Sequence, residues 1–407
     1  MKKTISKILA VLCMASFIGG TAVQTNIDSL TNYTNVSASS GTVIYDASEI
    51  DEFANRTLSE VADRYAKAIN SSKTRNTSYY SVEPSLESPY EAGMLTDDTL
   101  TSMGEMTEFY RWLVGVNPLK TSVVTSDELQ AGALIRNFQF AHFPSDSSKP
   151  SDMSTELWKK GSNCSHNILA MGYTPQGAIT GWMNEGYSTY RGSWGTLGHR
   201  YSLISYNVGK LGFGYSGSVA IGDVMDESNP KNDIPFYAFP APGYMPNSVV
   251  YPDSSAWSVQ PNRNYVKYDS LGDITVTVTN LRTGESYECT LDNEKLFYDS
   301  WSGEFAFVQP DDEGDAYYYT DKYSVEATGL KDSEGNPAII RYTVNFVDVT
   351  PKTGDVNGDG KVNIIDAMII AKYIAGDIDT VGGYPDMNDD GKVNISDLIL
   401  ICQQIVE

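Results

Sequence analysis

Histidine is almost missing from this sequence: 407 residues contain three, His142, His166 and His199. Any chemistry that needs several imidazoles must draw on all of them. Cysteine is nearly as scarce, at four. Cys13 lies in an apolar N-terminal run, and Cys164, Cys289 and Cys402 are too scattered, and odd in number, to make a disulfide framework. Apolar cores and bound metal must supply the stability that cross-links do not. Basic residues are outnumbered 29 to 52, which leaves a formal charge of −23. With no basic stripe to neutralise phosphates, nucleic acid and anionic membrane are excluded as partners. No apolar run reaches the roughly 20 residues of a transmembrane helix. The run from Ile8 to about Ile18 follows Met1-Lys2-Lys3 and Lys7, the charged-then-apolar layout of a secretory signal. Its cleavage is expected at Val36-Ser37-Ala38, with a cut near Thr21-Ala22 as the alternative, and the product is expected to be secreted and extracellular. Also missing are the Gly-x-Ser-x-Gly elbow, His-Glu-x-x-His, paired-cysteine motifs and a phosphate-binding glycine loop.

What is present divides into segments. After a signal over 1–38, residues 39–98 read as an N-terminal helix and polar linker: Ile50, Phe53, Leu58, Val61, Tyr65 and Ile69 make one apolar stripe over Asp46 to Ser71. Residues 99–239 read as α+β, with helical periodicity over Leu100 to Val116 and Asp127 to Phe140, then short glycine-bounded apolar runs. Period-two alternation takes over in 240–349. Ile274, Val276 and Val278 alternate with threonines, Arg282-Thr283-Gly284 turns, and Tyr287, Cys289 and Leu291 alternate back, which predicts a hairpin in an all-β sandwich. Trp257 is expected in its core.

Residues 350–407 hold a duplication with an offset of 31. Asp355-Val356-Asn357-Gly358-Asp359-Gly360-Lys361-Val362-Asn363-Ile364-Ile365-Asp366 and Asp386-Met387-Asn388-Asp389-Asp390-Gly391-Lys392-Val393-Asn394-Ile395-Ser396-Asp397 agree at nine of twelve positions. Calcium takes six to eight hard oxygens. Each loop offers side-chain oxygens at Asp355, Asn357, Asp359, Asn363 and Asp366, or at Asp386, Asn388, Asp390, Asn394 and Asp397, with the carbonyls of Lys361 and Lys392 at position 7. Position 12 is Asp rather than the Glu of a full EF-hand, and an apolar helical run follows each loop. The pattern resembles type I dockerins. That resemblance implies two calcium ions, a cohesin module of a scaffoldin as partner, and a place in a cellulosome. It also implies a docking face at Ile364, Ile365, Ala371 and Lys372 and at Ile395, Ser396, Cys402 and Gln403.

The α+β part resembles the superfamily of cysteine-rich secretory, antigen 5 and pathogenesis-related proteins, the CAP (SCP) domain. Gly115-Val116-Asn117-Pro118-Leu119 closes its first helix, Ala141-His142 follows the second, and Asn167-Ile168-Leu169-Ala170, Trp182-Met183-Asn184-Glu185, Gly198-His199-Arg200 and Gly212-Phe213-Gly214 follow in order. The resemblance implies an α-β-α sandwich whose cleft gathers His142, Glu185 and His199, with His166 where the family has a glutamate. Three imidazoles and a carboxylate would suit zinc, with Glu185 and His199 as the candidates for catalysis. Two functions follow as expectations: a binding or accessory component in plant cell-wall polysaccharide breakdown, or a metal-dependent hydrolase of peptide or ester bonds. A glycoside hydrolase is the weaker third, since a carboxylate pair is defined by its spacing in space.

Overall fold

The computed structural model describes residues 36–37 and 41–406, except 71–77, 165–166, 189–192, 195–196, 231–232, 252–254, 299–302, 309–320, 350–353, 358–360, 379–380, 382–384 and 389–391. The apolar signal run, His166, Asp359 and Asp390 lie outside the described residues.

Two short antiparallel strands, β1 (Val36–Ser37) and β2 (Val43–Asp46), open the chain, and helix α1 (Leu58–Asn70) follows. The single helix expected over Asp46 to Ser71 is therefore broken. Asp46 caps a tight turn at Ala47–Glu49, and Asn55-Arg56-Thr57 interrupts the helical text. Thr57 Oγ1 then accepts from Glu60 N at 3.1 Å and starts α1 afresh. Ile50, Phe53, Val61 and Tyr65 of the expected stripe are buried all the same.

Helices α2 (Asp97–Leu113), α3 (Asp127–Ile135), α4 (Thr155–Ser162), α5 (Pro175–Met183) and α6 (Gly198–Ile204) make up the helical part. Four of them start on a hydroxyl cap: Thr96, Ser126, Ser154 and Thr174 each accept from the backbone N–H three residues on. Acidic residues at Asp97, Asp98, Asp127 and Glu128 complement the positive helix ends. Between the helices lies an antiparallel sheet in the order β3 (Asn167–Met171), β5 (Val219–Asp223), β4 (Gly212–Ser216). Strand β4 shows how the layers meet. A Cβ on Gly212 or Gly214 would lie 2.8 Å from Leu129 Cδ1 or 2.4 Å from Leu129 O, so only glycine lets α3 come this close. Phe213 points to the other face and stacks on Trp182 of α5, with centroids 6.0 Å apart. Helix, sheet and helix are thus held by alternate residues of one strand.

Beyond the helical part come β6 (Phe236–Phe239), β7 (Gly243–Pro246), β8 (Trp257–Pro261), β9 (Thr275–Asn280), β10 (Ser286–Cys289), β11 (Leu296–Tyr298), β12 (Phe305–Phe307), β13 (Lys322–Asp332) and β14 (Pro337–Val347). One sheet runs β1-β2-β14-β13-β9-β10, with β7 also pairing with β14, and the other runs β6-β8-β12-β11. The expected hairpin is β9 with β10, paired from Val276↔Cys289 to Thr279↔Ser286. Fully buried Trp257 of β8 reaches across to Tyr323 and Phe346 of the larger sheet, at 5.6 and 5.9 Å between centroids.

The strands cross the expected boundaries. β2, placed in the N-terminal segment, lies parallel to β14 through Ala338↔Val43 to Arg341↔Asp46. β6, placed with the α+β part, pairs with β8. The helical part and the sheets also share a core: Phe53 meets Phe236, Tyr110 meets Phe239, and Tyr110 Oη donates to Val249 O at 3.2 Å. Two helices, α7 (Ile364–Ala375) and α8 (Ile395–Val406), end the chain.

Candidate functional site

The end of α5 and the start of α6 bring Glu185 to His199. Asn184 ends α5, its Nδ2 donating to Thr180 O and Val249 O while its Oδ1 accepts from Tyr251 N at 2.7 Å. Glu185 comes next. Its Oε1 accepts from His199 Nδ1 at 2.7 Å and its Oε2 from Arg200 N at 2.9 Å. Arg200 fixes the frame. Its fully buried guanidinium donates to Met183 O, Glu185 O, Ser255 Oγ and Ser258 Oγ. One side chain therefore joins the two helix ends to strand β8.

Burial alone would lower the His199 pKa, but the Glu185 carboxylate more than offsets it and the net shift is upward. His142 shifts the other way, through burial, then repulsion from His199 and Arg136. Asn167, at the start of β3, donates through Nδ2 to Cys164 O. Arg136 Nη2 ties the loops behind, donating to His142 O at 2.8 Å and Cys164 O at 2.6 Å. Neither Cys164 nor Cys289 has the lowered pKa of a reactive thiol. Burial pushes Cys164 up to about 11 and Cys289 up to about 12.

The described residues give the zinc expectation no support. Among the described residues no group of three or more His, Cys, Asp or Glu side chains is placed to hold a metal. His142, Glu185 and His199 do not form such a group, and Glu185 already receives His199 Nδ1 and Arg200 N. His166 lies outside the described residues.

The C-terminal loops are built alike. Asp366 is fully buried; its Oδ1 accepts from Val356 N and Asn357 N at 2.9 and 3.1 Å and its Oδ2 from Asn363 N at 2.8 Å. Asp397 is fully buried too, accepting from Met387 N and Asn394 N, each at 2.8 Å. Asn363 and Asn394 cap α7 and α8, each Oδ1 accepting the N–H two residues on at 2.8 Å. The position-12 carboxylate thus folds back over the first residues of its own loop. Asp355 is also buried. Buried carboxylates and amide oxygens closing on one loop fit a hard divalent cation, whose charge would offset the cost of burying theirs. When bound, calcium would be held by the side chains of Asp355, Asn357, Asn363 and Asp366 and of Asp386, Asn388, Asn394 and Asp397, with the Lys361 and Lys392 carbonyls. Both lysine side chains are exposed. The core between the repeats is small, with Val356, Ala367, Ile370 and Ile401 at its centre.

Outward, the repeats are apolar. Ile364, Ile365 and Ile395 are 61%, 51% and 57% exposed, and Ala371, Lys372, Ser396, Cys402 and Gln403 are exposed beside them. Met368 and Ile399, exposed at 54% and 51%, were missing from the expected face. Their signal is helical spacing, since each lies four residues after an exposed isoleucine.

Residues 353–406 match the type I dockerin domain. This dockerin binds a cohesin module of a scaffoldin, which makes the chain a cellulosome component, and type I dockerins bind calcium. No curated protein and no solved structure matches the chain. Among the described residues no helix is long and apolar enough to cross a membrane.

Proposed function

We propose that the chain is secreted and displayed on a scaffoldin, where its CAP-like part has a binding or accessory role in the breakdown of plant cell-wall polysaccharide. The observation that carries this reading is the pair of loops, each closed by a buried aspartate and followed by a helix with exposed apolar residues. For the CAP-like part, the support is the order α2, α3, β3, α5, α6, β4 and the meeting of Glu185 with His199. A cut near Thr21-Ala22 suits the secreted form better than one at Ala38, which would remove β1 from its partner β2. The test is reconstitution: scaffoldin loaded with wall-degrading enzymes, with and without this chain, assayed for reducing-sugar release. Greater release with the chain docked, and none from the chain alone, supports the accessory role; equal release in both reactions refutes it.

A second reading, hydrolysis of peptide or ester bonds, is favoured by one observation. Glu185 fixes Nδ1–H of His199, an arrangement that orients Nε2 as a base. Activity on a hydrolase panel that disappears in His199→Ala supports it, and a silent panel refutes it.

A further inference from the structure

A cavity of about 760 Å³ lies away from both sites, between α1, α2 and the segment 116–123. That volume is within the usual range for a bound small molecule. Its charged lining is balanced: Arg64, Lys67 and Lys120 face Asp97, Glu105 and Glu108, three of each sign. Lys67 Nζ pairs with Glu105 Oε2 at 2.9 Å, and Glu108 Oε1 accepts from Leu119 N at 2.8 Å. Leu100, Phe109 and Val123 add an apolar wall, and the Arg64 guanidinium lies 4.4 Å over the ring of Trp112 beside it.

A net-neutral lining gives an ionic ligand no long-range attraction, and six charged side chains disfavour a lipid tail. Hydroxyls suit it. Each donates to a carboxylate and accepts from an ammonium or guanidinium, and a sugar ring has an apolar face for the wall. We propose that this cleft binds a neutral oligosaccharide, with Glu108, Glu105 and Lys120 hydrogen bonding to its hydroxyls. Burial holds the Glu108 carboxyl above the usual carboxylate range, and the Leu119 N–H and Arg111 offset only part of that. An added hydroxyl donor would stabilise its charged form. The inference rests on the polysaccharide role proposed above and names the surface that would serve it.

Isothermal titration of the full chain with cello-, xylo- and manno-oligosaccharides tests it, with oligogalacturonate and a neutral peptide as comparison ligands. The expected result is saturable binding of a neutral oligosaccharide, with Kd between about 10 µM and about 1 mM. It should change less than about twofold between about 50 mM and about 500 mM NaCl, and weaken about tenfold or more in Glu108→Ala and in Lys120→Ala. Lys120→Ala alters an exposed residue and guards against a folding defect in the other variant. No neutral oligosaccharide binding, binding of oligogalacturonate or peptide instead, or unchanged affinity in both variants overturns the proposal. Cohesin capture on the same samples separates failure of this cleft from failure of the scaffold role.

Discussion

Replacing Asp366 with alanine should unfold the first calcium loop. Its carboxylate accepts three backbone N–H groups and is fully buried. Hydrogen bonds to a charged acceptor contribute about 1.5–3 kcal/mol each, so three at the lower end total about 4.5 kcal/mol. A module this small rarely has more than about 3–5 kcal/mol to lose. Calcium binding would add further stability to the folded form, and the variant loses that ligand as well. The assay is calcium titration of the full chain by calorimetry, with far-ultraviolet circular dichroism followed as calcium is added. The native chain should take up two ions. Asp366→Ala should take up at most one and lose its cohesin affinity with it. Two ions bound at native affinity by the variant would refute the role assigned to Asp366.

Other outcomes follow from the same geometry. Imidazole resonances should show His199 titrating above its ordinary value of 6.5 and His142 below it; the reverse order would contradict the Glu185–His199 pairing. Because the folded His199 pKa is raised, its stabilisation is fully present below pH about 6.5 and is lost as pH rises through the folded value. Denaturant melts of native chain and His199→Ala should therefore converge as the pH increases through that window. Gly214→Ala should cost about 1–3 kcal/mol, since its Cβ would meet Leu129 O at 2.4 Å; an unchanged melting temperature would mean α3 does not need that close approach. Met368→Asp combined with Ile399→Asp should weaken cohesin binding about 100-fold or more while two calcium ions stay bound; native affinity would remove both residues from the docking face.

The calcium loops were legible because their information is local. Twelve consecutive residues offer the ligands, and each helix begins within them, at Ile364 and Ile395, so Asp366 and Asp397 lie in a pattern that short-range sequence carries. Met368 and Ile399 were within reach of the same periodicity. The Glu185–His199 meeting came from motif order, not from any local pattern, and nothing in the text marked Arg200 as the residue that joins them to Ser255 and Ser258. Least legible was the sheet around β14. Parallel pairing of β2 with a strand almost 300 residues later leaves no short-range signal, and Val43-Ile44-Tyr45-Asp46 precedes a helical stripe closely enough to be read as its beginning. Phe236-Tyr237-Ala238-Phe239 is a continuous apolar run, buried at every position, which periodicity assigns to neither helix nor strand.

Calcium-dependent docking is decided by titration of the full chain with a panel of cohesins, in calcium and then in EDTA. At least one cohesin should bind one-to-one with calcium, and that binding should fall by a factor of about 1,000 or more when the metal is removed. Equal affinity in calcium and EDTA, or no cohesin bound by a chain carrying both calcium ions, would contradict it.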